Sequence, residues 1–377
     1  MMKAVVMAGG QGTRLAPLTR NQPKPLMPVA GRPMLHHVLR LLEQHGIDEA
    51  IVTAQYHAGQ IQDYLAGLKE FSLEISCVVE EAPLGTAGGF GSLAHRLRTG
   101  PFLVISGDTL TDCDLTALID HHRSVPALVT AALADVEDPS GFGVVTTDEQ
   151  GRIDRFVEKP EAGTHFSTLV NTGIYVVDPV VLDRIPAGRA TDWAHDVFPA
   201  LVEERSLHGW STDAYWEDVG THARYFQAQV HALTGKVKVE LEFPQISPGV
   251  HISHDVRLPP DVTLLGPLHI GAGARVGDQA TLANGTVLGR DVAVGAGAIL
   301  EGAICHDAAS IGAGSVLVDC VVGHSSRIGA SVQIGRGTVI AAHSAVPDGT
   351  VVPEGSRIGP TIPAPRRPDG RSHAATP

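Results

Sequence analysis

The chain has 377 residues, more than one ordinary domain, and its 43% hydrophobic and 18% charged residues mark a globular protein, not a disordered one. Lys and Arg total 28 against 41 Asp and Glu, a formal charge of −13. That excludes a nonspecific binder of nucleic acid or anionic membrane and makes any phosphate site a local exception to the overall field. Cys77, Cys113, Cys305 and Cys320 show no CxxC spacing, which argues against a disulfide scaffold or a zinc ribbon. The N-terminal apolar run is too short for a signal peptide, and nothing reaches the length of a membrane span, so the reading is a soluble cytoplasmic protein.

In chain order, short and nearly all-apolar runs predict strands at 3–8, 50–54, 75–80, 102–106 and 127–134, covered on both faces. Between the first two, a helix is predicted over 33–45. Pro33 stands near its start, Leu35, Val38, Leu39 and Leu42 share one face, and Gly46 stops it. Strands alternating with helices imply an α/β domain with a doubly wound, mostly parallel, Rossmann-like sheet, which holds ligands at the carboxyl ends of its strands. After Lys236 the period changes to six. Aliphatic residues recur from Ile246 through Ile252, Leu258 and Leu264 to Leu300, slip by one to Cys305, Ile311 and Leu317, slip again to Val322, and run on to Ile358. Such hexads, many followed by glycine, predict a parallel β-helix of about six three-sided coils. The domains are therefore drawn as 1–235 and 236–359, with a disordered tail, rich in proline and arginine, at 360–377.

The first strand runs into Ala8-Gly9-Gly10-Gln11-Gly12-Thr13-Arg14-Leu15, with Pro23-Lys24-Pro25-Leu26 close behind. A glycine-rich turn after such a strand lets backbone N–H groups converge on phosphate oxygens, and Ala8, Gly9, Gly10, Gly12 and Thr13 form the candidate cradle. It is neither GxGxxG nor a Walker loop. Arg14 and Lys24 add two cations beside it. Asp108 and Asp218 each follow a strand-like run, as carboxylates suited to Mg²⁺ would.

GGxGTRL followed by PKPL resembles the sugar-phosphate nucleotidylyltransferases, over the chain from Met1 to about residue 235. The appended hexapeptide repeat resembles the left-handed β-helices of members that make ADP-glucose, UDP-N-acetylglucosamine or GDP-mannose. The resemblance implies in-line attack by a sugar 1-phosphate on the α-phosphorus of an NTP, with pyrophosphate leaving. In such a reaction the protein supplies cations and oriented N–H groups and no covalent nucleophile. It assigns Arg14 to the triphosphate, Lys24 to the phosphates around the α-phosphorus, and Asp108 and Asp218 to Mg²⁺. Ala16 stands where many relatives carry a second arginine.

The base is expected at Glu80-Glu81-Ala82-Pro83-Leu84-Gly85-Thr86, with Glu80, Gly85 and Thr86 as its contacts. A carboxylate accepts hydrogen bonds only, so Glu80 matches the adjacent N1–H and N2–H₂ donors of guanine and not the N1 of adenine. The segment also resembles the EEPLGTAG of mannose-1-phosphate guanylyltransferases. GTP and mannose 1-phosphate are the favoured substrates. Adenylyl, uridylyl or thymidylyl transfer to glucose 1-phosphate, guanylyl transfer to a heptose or cyclitol phosphate, and a non-catalytic sensor of nucleotide sugars stay open. By resemblance Lys159 holds the sugar phosphate, and Glu158, Asn171 and Gly143 complete the sugar side. His306 and His324 fall near the register slips, but without a long inserted loop the β-helix reads as a scaffold for a homo-oligomer, not as an acyltransferase.

Overall fold

The computed structural model describes residues 2–161 and 163–360. The tail expected from 360 therefore lies, past its first residue, outside the described residues. By its contacts the chain divides into two units. One comprises Met1–Arg14, Gln22–Arg224 and Gly235–Glu240; the other comprises Leu15–Asn21, Tyr225–Thr234 and the chain from Leu241 on.

In the first unit, the apolar runs form parallel neighbours. β1 (Lys3–Met7) lies between β2 (Glu49–Ala54) and β4 (Phe102–Ser106), and β2 pairs with β3 (Glu74–Val79). β5 (Thr109–Thr111) follows β4 immediately. The remainder of the sheet is antiparallel around the long β9 (Leu169–Val177). β9 takes β4, β6 (Val129–Asp135) and β7 (Gly143–Thr147) as partners, while β8 (Ile153–Glu158) pairs with β7. β10 (Leu207–Ser211) runs parallel to β6, so the sheet is mixed, with its parallel pairs concentrated around β1. Helix α1 (Met34–Gln44) begins after Pro33 and stops before Gly46, whose φ of 68° suits glycine. Its apolar stripe packs on Val6, Val52 and Leu103, whereas Val5, Ile51 and Val104 face the opposite core with Phe90, Trp193 and Phe198. Further helices are α2 (Ala58–Gly67), α3 (Gly89–Leu97), α4 (Leu115–Ser124) and α5 (Phe198–Glu203), while α6 (His222–Leu233) starts in this unit and from Tyr225 on belongs to the second.

In the second unit, three parallel sheets stack short strands into a β-helix. Its ladders explain the slips in the repeat. Ile252, Ile270 and Leu288 stand one above another at 18-residue steps, while Leu288 to Cys305 and Cys305 to Val322 are 17-residue steps. The missing residue comes from one corner. An earlier coil turns through two positive-φ residues, Asn284 and Gly285, where the shorter coils use Gly302 or Asp319 alone. Inward residues stay in register, so Leu282, Leu300, Leu317 and Ile334 form one buried column. The first hexad departs from the expected pattern. Ile246 is 62% exposed, on a strand Gln245–Ser247 that runs antiparallel to Val250–Ile252. With no preceding rung to extend, the chain folds back through Pro248 and Gly249, which has a φ of 69°. Among the described residues no helix is long and apolar enough to cross a membrane, and the four cysteines are free.

Candidate active site

Lys24 opens a short 3₁₀ turn, Lys24–Leu26, and is only 6% exposed. Its ammonium reaches Asp108 Oδ2 at 2.6 Å and Asp218 Oδ1 at 2.7 Å. The two carboxylate oxygens are thus no further apart than the sum of those distances. Backbone pairing brings them together. β11 (Trp216–Asp218) runs antiparallel to β5, placing Asp218 opposite Thr109, the neighbour of Asp108. Arg14 closes the group, with Nη2 3.4 Å from Asp218 Oδ2. Gly220 makes room for it, since a Cβ there would stand 2.7 Å from that nitrogen. Burial alone would lower the Lys24 ammonium, but the two carboxylates hold it above its ordinary value. Burial alone would raise the Asp108 carboxyl, but the Lys24 ammonium and the Ser106 hydroxyl hold it below the usual carboxylate range.

Two carboxylate oxygens converging on one cation are a donor set that suits Mg²⁺, which takes few protein carboxylates and draws its other oxygens from phosphate and water. Among the described residues no cluster of three or more His, Cys, Asp or Glu competes with this place as a metal site.

The glycine-rich loop leaves the carboxyl end of β1, where Ala8 N–H donates to Thr53 at 2.8 Å and Gly12 adopts a φ of 62°. Arg14 belongs to the turn Thr13–Leu15 that ends it. Glu80 leaves the end of β3, its N–H donating to Ala54 at 2.8 Å. Its carboxylate lies over two glycines. A Cβ on Gly89 would come within 2.1 Å of Oε1, and one on Gly9 within 3.8 Å of Oε2. Burial pushes this carboxyl up.

Three of the residues expected on the sugar side, Gly143, Glu158 and Lys159, meet on one hairpin, while Asn171 stands apart on β9. Gly143 opens β7 opposite Glu158 at the end of β8, and a Cβ on Gly143 would lie 2.8 Å from Glu158 Oε2. Lys159 follows with a positive φ of 44°, donates its N–H to Phe142 at 3.0 Å, and sets its ammonium 2.9 Å from Glu158 Oε1. Asn171 lies on β9 beside Val170, the partner of Val144. Its amide donates to the Tyr175 hydroxyl at 2.8 Å and accepts from the Gly173 N–H at 3.1 Å.

Several neighbours bear on these groups. The sequence points to Trp216, as lining the sugar pocket or packing under the sheet, and leaves Glu217 as structural, but gives no sign of Arg224 or Asp192. Trp216 crosses Phe142 edge-on at 5.0 Å between centroids and donates its indole N–H to Thr172 at 2.9 Å. Arg224 lies over the Phe142 ring and 3.4 Å from Glu217 Oε1, and burial pushes the Glu217 carboxyl up to about 6. Asp192, over a hundred residues from the base segment, accepts the Thr86 hydroxyl at 2.7 Å. No local motif announces these contacts. His306, weighed as an acyl-transfer base, is buried and bonded at Nε2 to the Tyr225 hydroxyl at 3.0 Å, within the second unit. Burial pulls its pKa down to about 4.

The chain matches the family model described as nucleotidyl transferase over residues 3–235, and the one described as GMPPB C-terminal domain over residues 264–361. It belongs to the nucleotidyl transferase family. It is similar to the mannose-1-phosphate guanylyltransferase of Mycobacterium tuberculosis, 36% identical over 316 residues covering 83% of this chain and 82% of that one. It is also similar to the UTP--glucose-1-phosphate uridylyltransferase of Synechocystis, 33% identical over 337 residues covering 85% and 87% of the two chains. A solved structure of HddC from Yersinia pseudotuberculosis, complexed with GMP-PN, superposes with a TM-score of 0.53 at 25% identity, over 61% of this chain and 98% of that one.

Proposed function

We propose that the protein joins a nucleoside triphosphate to a sugar 1-phosphate, releasing pyrophosphate, with GTP and mannose 1-phosphate as the preferred pair. The convergence of Lys24, Arg14, Asp108 and Asp218 beside the glycine-rich loop carries this reading. A phosphate oxygen of the sugar 1-phosphate attacks the α-phosphorus, and the bond from that phosphorus to the bridging oxygen of the β-phosphate breaks. Negative charge then passes to the departing pyrophosphate. Lys24, held charged by its two carboxylates, and Arg14 meet that charge, and the N–H groups of the Ala8–Thr13 loop orient the phosphates. Asp108 and Asp218 are the residues that would hold Mg²⁺, which neutralises phosphate charge when bound. Lys159, Glu158, Asn171 and Gly143 take the sugar phosphate.

The case for GTP rests on Glu80, whose carboxylate suits two adjacent donors, and agrees with the guanylyltransferase among the relatives. The uridylyltransferase at comparable identity makes UTP with glucose 1-phosphate the second reading. A panel of the four common NTPs and dTTP against mannose, glucose and heptose phosphates, read as Mg²⁺-dependent pyrophosphate release, decides between them. Exclusive use of UTP or dTTP would remove the role given to Glu80. We assign the chemistry to 1–235 and self-association to the β-helix of 236–359, whose outer faces expose Leu265, Ile299 and Val351. Light scattering of the full chain tests that assignment, and a monomer would end it.

A further inference from the structure

The segment expected to read the base is tied down at its C-terminal half. From Leu84 to Gly91 it is docked on the segment that precedes Trp193. Ala87 and Gly88 donate their N–H groups to Thr191 at 2.8 and 3.1 Å, and Thr191 donates back to Leu84 at 2.9 Å. The glycines allow this approach. A Cβ on Gly85 would sit 2.5 Å from the Thr191 carbonyl oxygen, and one on Gly88 would sit 2.4 Å from that of Arg189. One side-chain bond closes the arrangement. The Thr86 hydroxyl donates to Asp192 Oδ2 at 2.7 Å and accepts the Trp193 N–H at 3.0 Å. The other oxygen of Asp192, Oδ1, is already engaged. It accepts the N–H groups of Ala194 at 2.9 Å and His195 at 3.1 Å, and His195 Nδ1 lies 3.0 Å away. Asp192 thereby caps the π-helical turn Trp193–Val197, and Trp193 is buried edge-on against Phe90 of α3.

We propose that Asp192 is a positioning residue for the nucleotide, acting through the Thr86 hydroxyl to hold the 84–88 turn in the shape that binds the base. The proposal rests on the reading of this site as a nucleotide site, and it changes the role expected of Thr86. The hydroxyl faces Asp192 and Trp193, so its contribution to affinity is made through them and not by touching the nucleotide. Asp192, which caps one turn and latches another, links the base segment to the aromatic core around Trp193, Tyr175 and Phe198.

The test is a cycle of three variants of the full chain. Thr86→Val removes the hydroxyl at constant shape. Asp192→Ser keeps a capping oxygen but is too short to reach residue 86. The third is the double variant. With the best NTP of the panel, each single variant should raise the KM for NTP about tenfold while kcat stays within about twofold, and the double variant should be no worse than either. Thr86→Ser, which keeps the hydroxyl, should restore the low KM. Amide exchange without ligand supplies a second reading that needs no activity, and the N–H groups of Ala87 and Gly88 should exchange about tenfold faster in all three variants. Multiplying KM effects, near a hundredfold in the double variant, would mean that Thr86 touches the nucleotide itself and would overturn the proposal. So would unchanged KM, or unchanged exchange, in the single variants. A wild-type chain that uses no NTP at all would overturn the proposed function and with it the nucleotide role of the latch. Failure of the latch alone reads differently: the wild type turns over and the variants match it.

Discussion

Lys24→Met tests the centre of the site most directly. The ammonium is 8% exposed as a side chain, the Asp108 and Asp218 side chains are 22% and 25% exposed, and the contacts are 2.6 and 2.7 Å. Each pair has a gross attraction of about 6 kcal/mol at an effective dielectric of about 20, most of it offset by the desolvation of three charges. Replacing Lys by Met removes the cation and leaves two carboxylates at about 5 Å, repelling by roughly 3 kcal/mol at the same dielectric unless one takes up a proton. The expected loss of stability in metal-free buffer is therefore about 3 kcal/mol, below the upper end of about 5 for a broken buried pair. In a domain of this size that lowers Tm by roughly 6–12 °C. Mg²⁺ should raise the Tm of the variant more than that of the wild type, because in the wild type a resident ammonium already sits between the same oxygens. Scanning calorimetry of both proteins in EDTA and in Mg²⁺ reads both effects, and pyrophosphate release should fall by about a thousandfold in the variant. Equal Tm values in EDTA, or equal Mg²⁺ shifts, would refute the idea that Lys24 and the metal answer to the same two carboxylates.

Three further outcomes are expected. Gly89→Ala should fold normally, since Gly89 opens a helix, but its methyl would displace the Glu80 carboxylate, and the preference for GTP over ATP should fall about 10- to 100-fold in kcat/KM. Burial raises the Glu80 carboxyl and guanine needs its charged form, so the KM for GTP should be lowest at neutral pH and rise as the pH falls, beginning above the range of an ordinary carboxylate. ITP, which lacks the N2 amine, should show a weaker rise, and a flat profile for GTP would remove the carboxylate from base recognition. In the second unit, Tyr225→Phe should cost about 1–2 kcal/mol by denaturant unfolding, because the buried His306 loses the hydroxyl at its Nε2.

What the sequence revealed follows the range of the physics behind each element. The runs at 3–8, 50–54 and 102–106 are strands because a strand buried on both faces is apolar throughout. The run at 75–80, expected to be covered on both faces, is instead a half-buried edge strand paired with β2, with Val79 43% exposed. In both cases the signal is local. The hexad repeat was legible for the same reason, and its slips had a structural meaning in the shortened corners at Gly302 and Asp319. The antiparallel part around β9 gave no such signal. β8 alternates exposed Arg155 with half-buried Phe156, and nothing local says that Gly143 will face Glu158. The loop with Arg14 and Lys24 could be read because its residues are sequence neighbours. The convergence of Asp108 with Asp218 could only be expected, since it depends on β11 pairing with β5 across half of the first unit.

The glycines of the base segment show where residue type and role separate. A glycine in a ligand loop is naturally taken as facing the ligand, and the sequence places Gly85 among the contacts of the base. In the structure its α-carbon faces the Thr191 carbonyl, and the faces of Gly88 and Gly91 are turned to the backbone at Arg189 and at Ala187. These three positions require glycine whether or not a nucleotide is bound. Gly9 and Gly89 differ, because what they face is the Glu80 carboxylate, a group that recognition of guanine would use. One short stretch thus carries two kinds of glycine. Alanine at Gly85 or Gly88 should disturb the loop itself, whereas alanine at Gly89 should disturb only the choice of base. That difference follows from what each missing methyl would touch, and composition alone could not have supplied it.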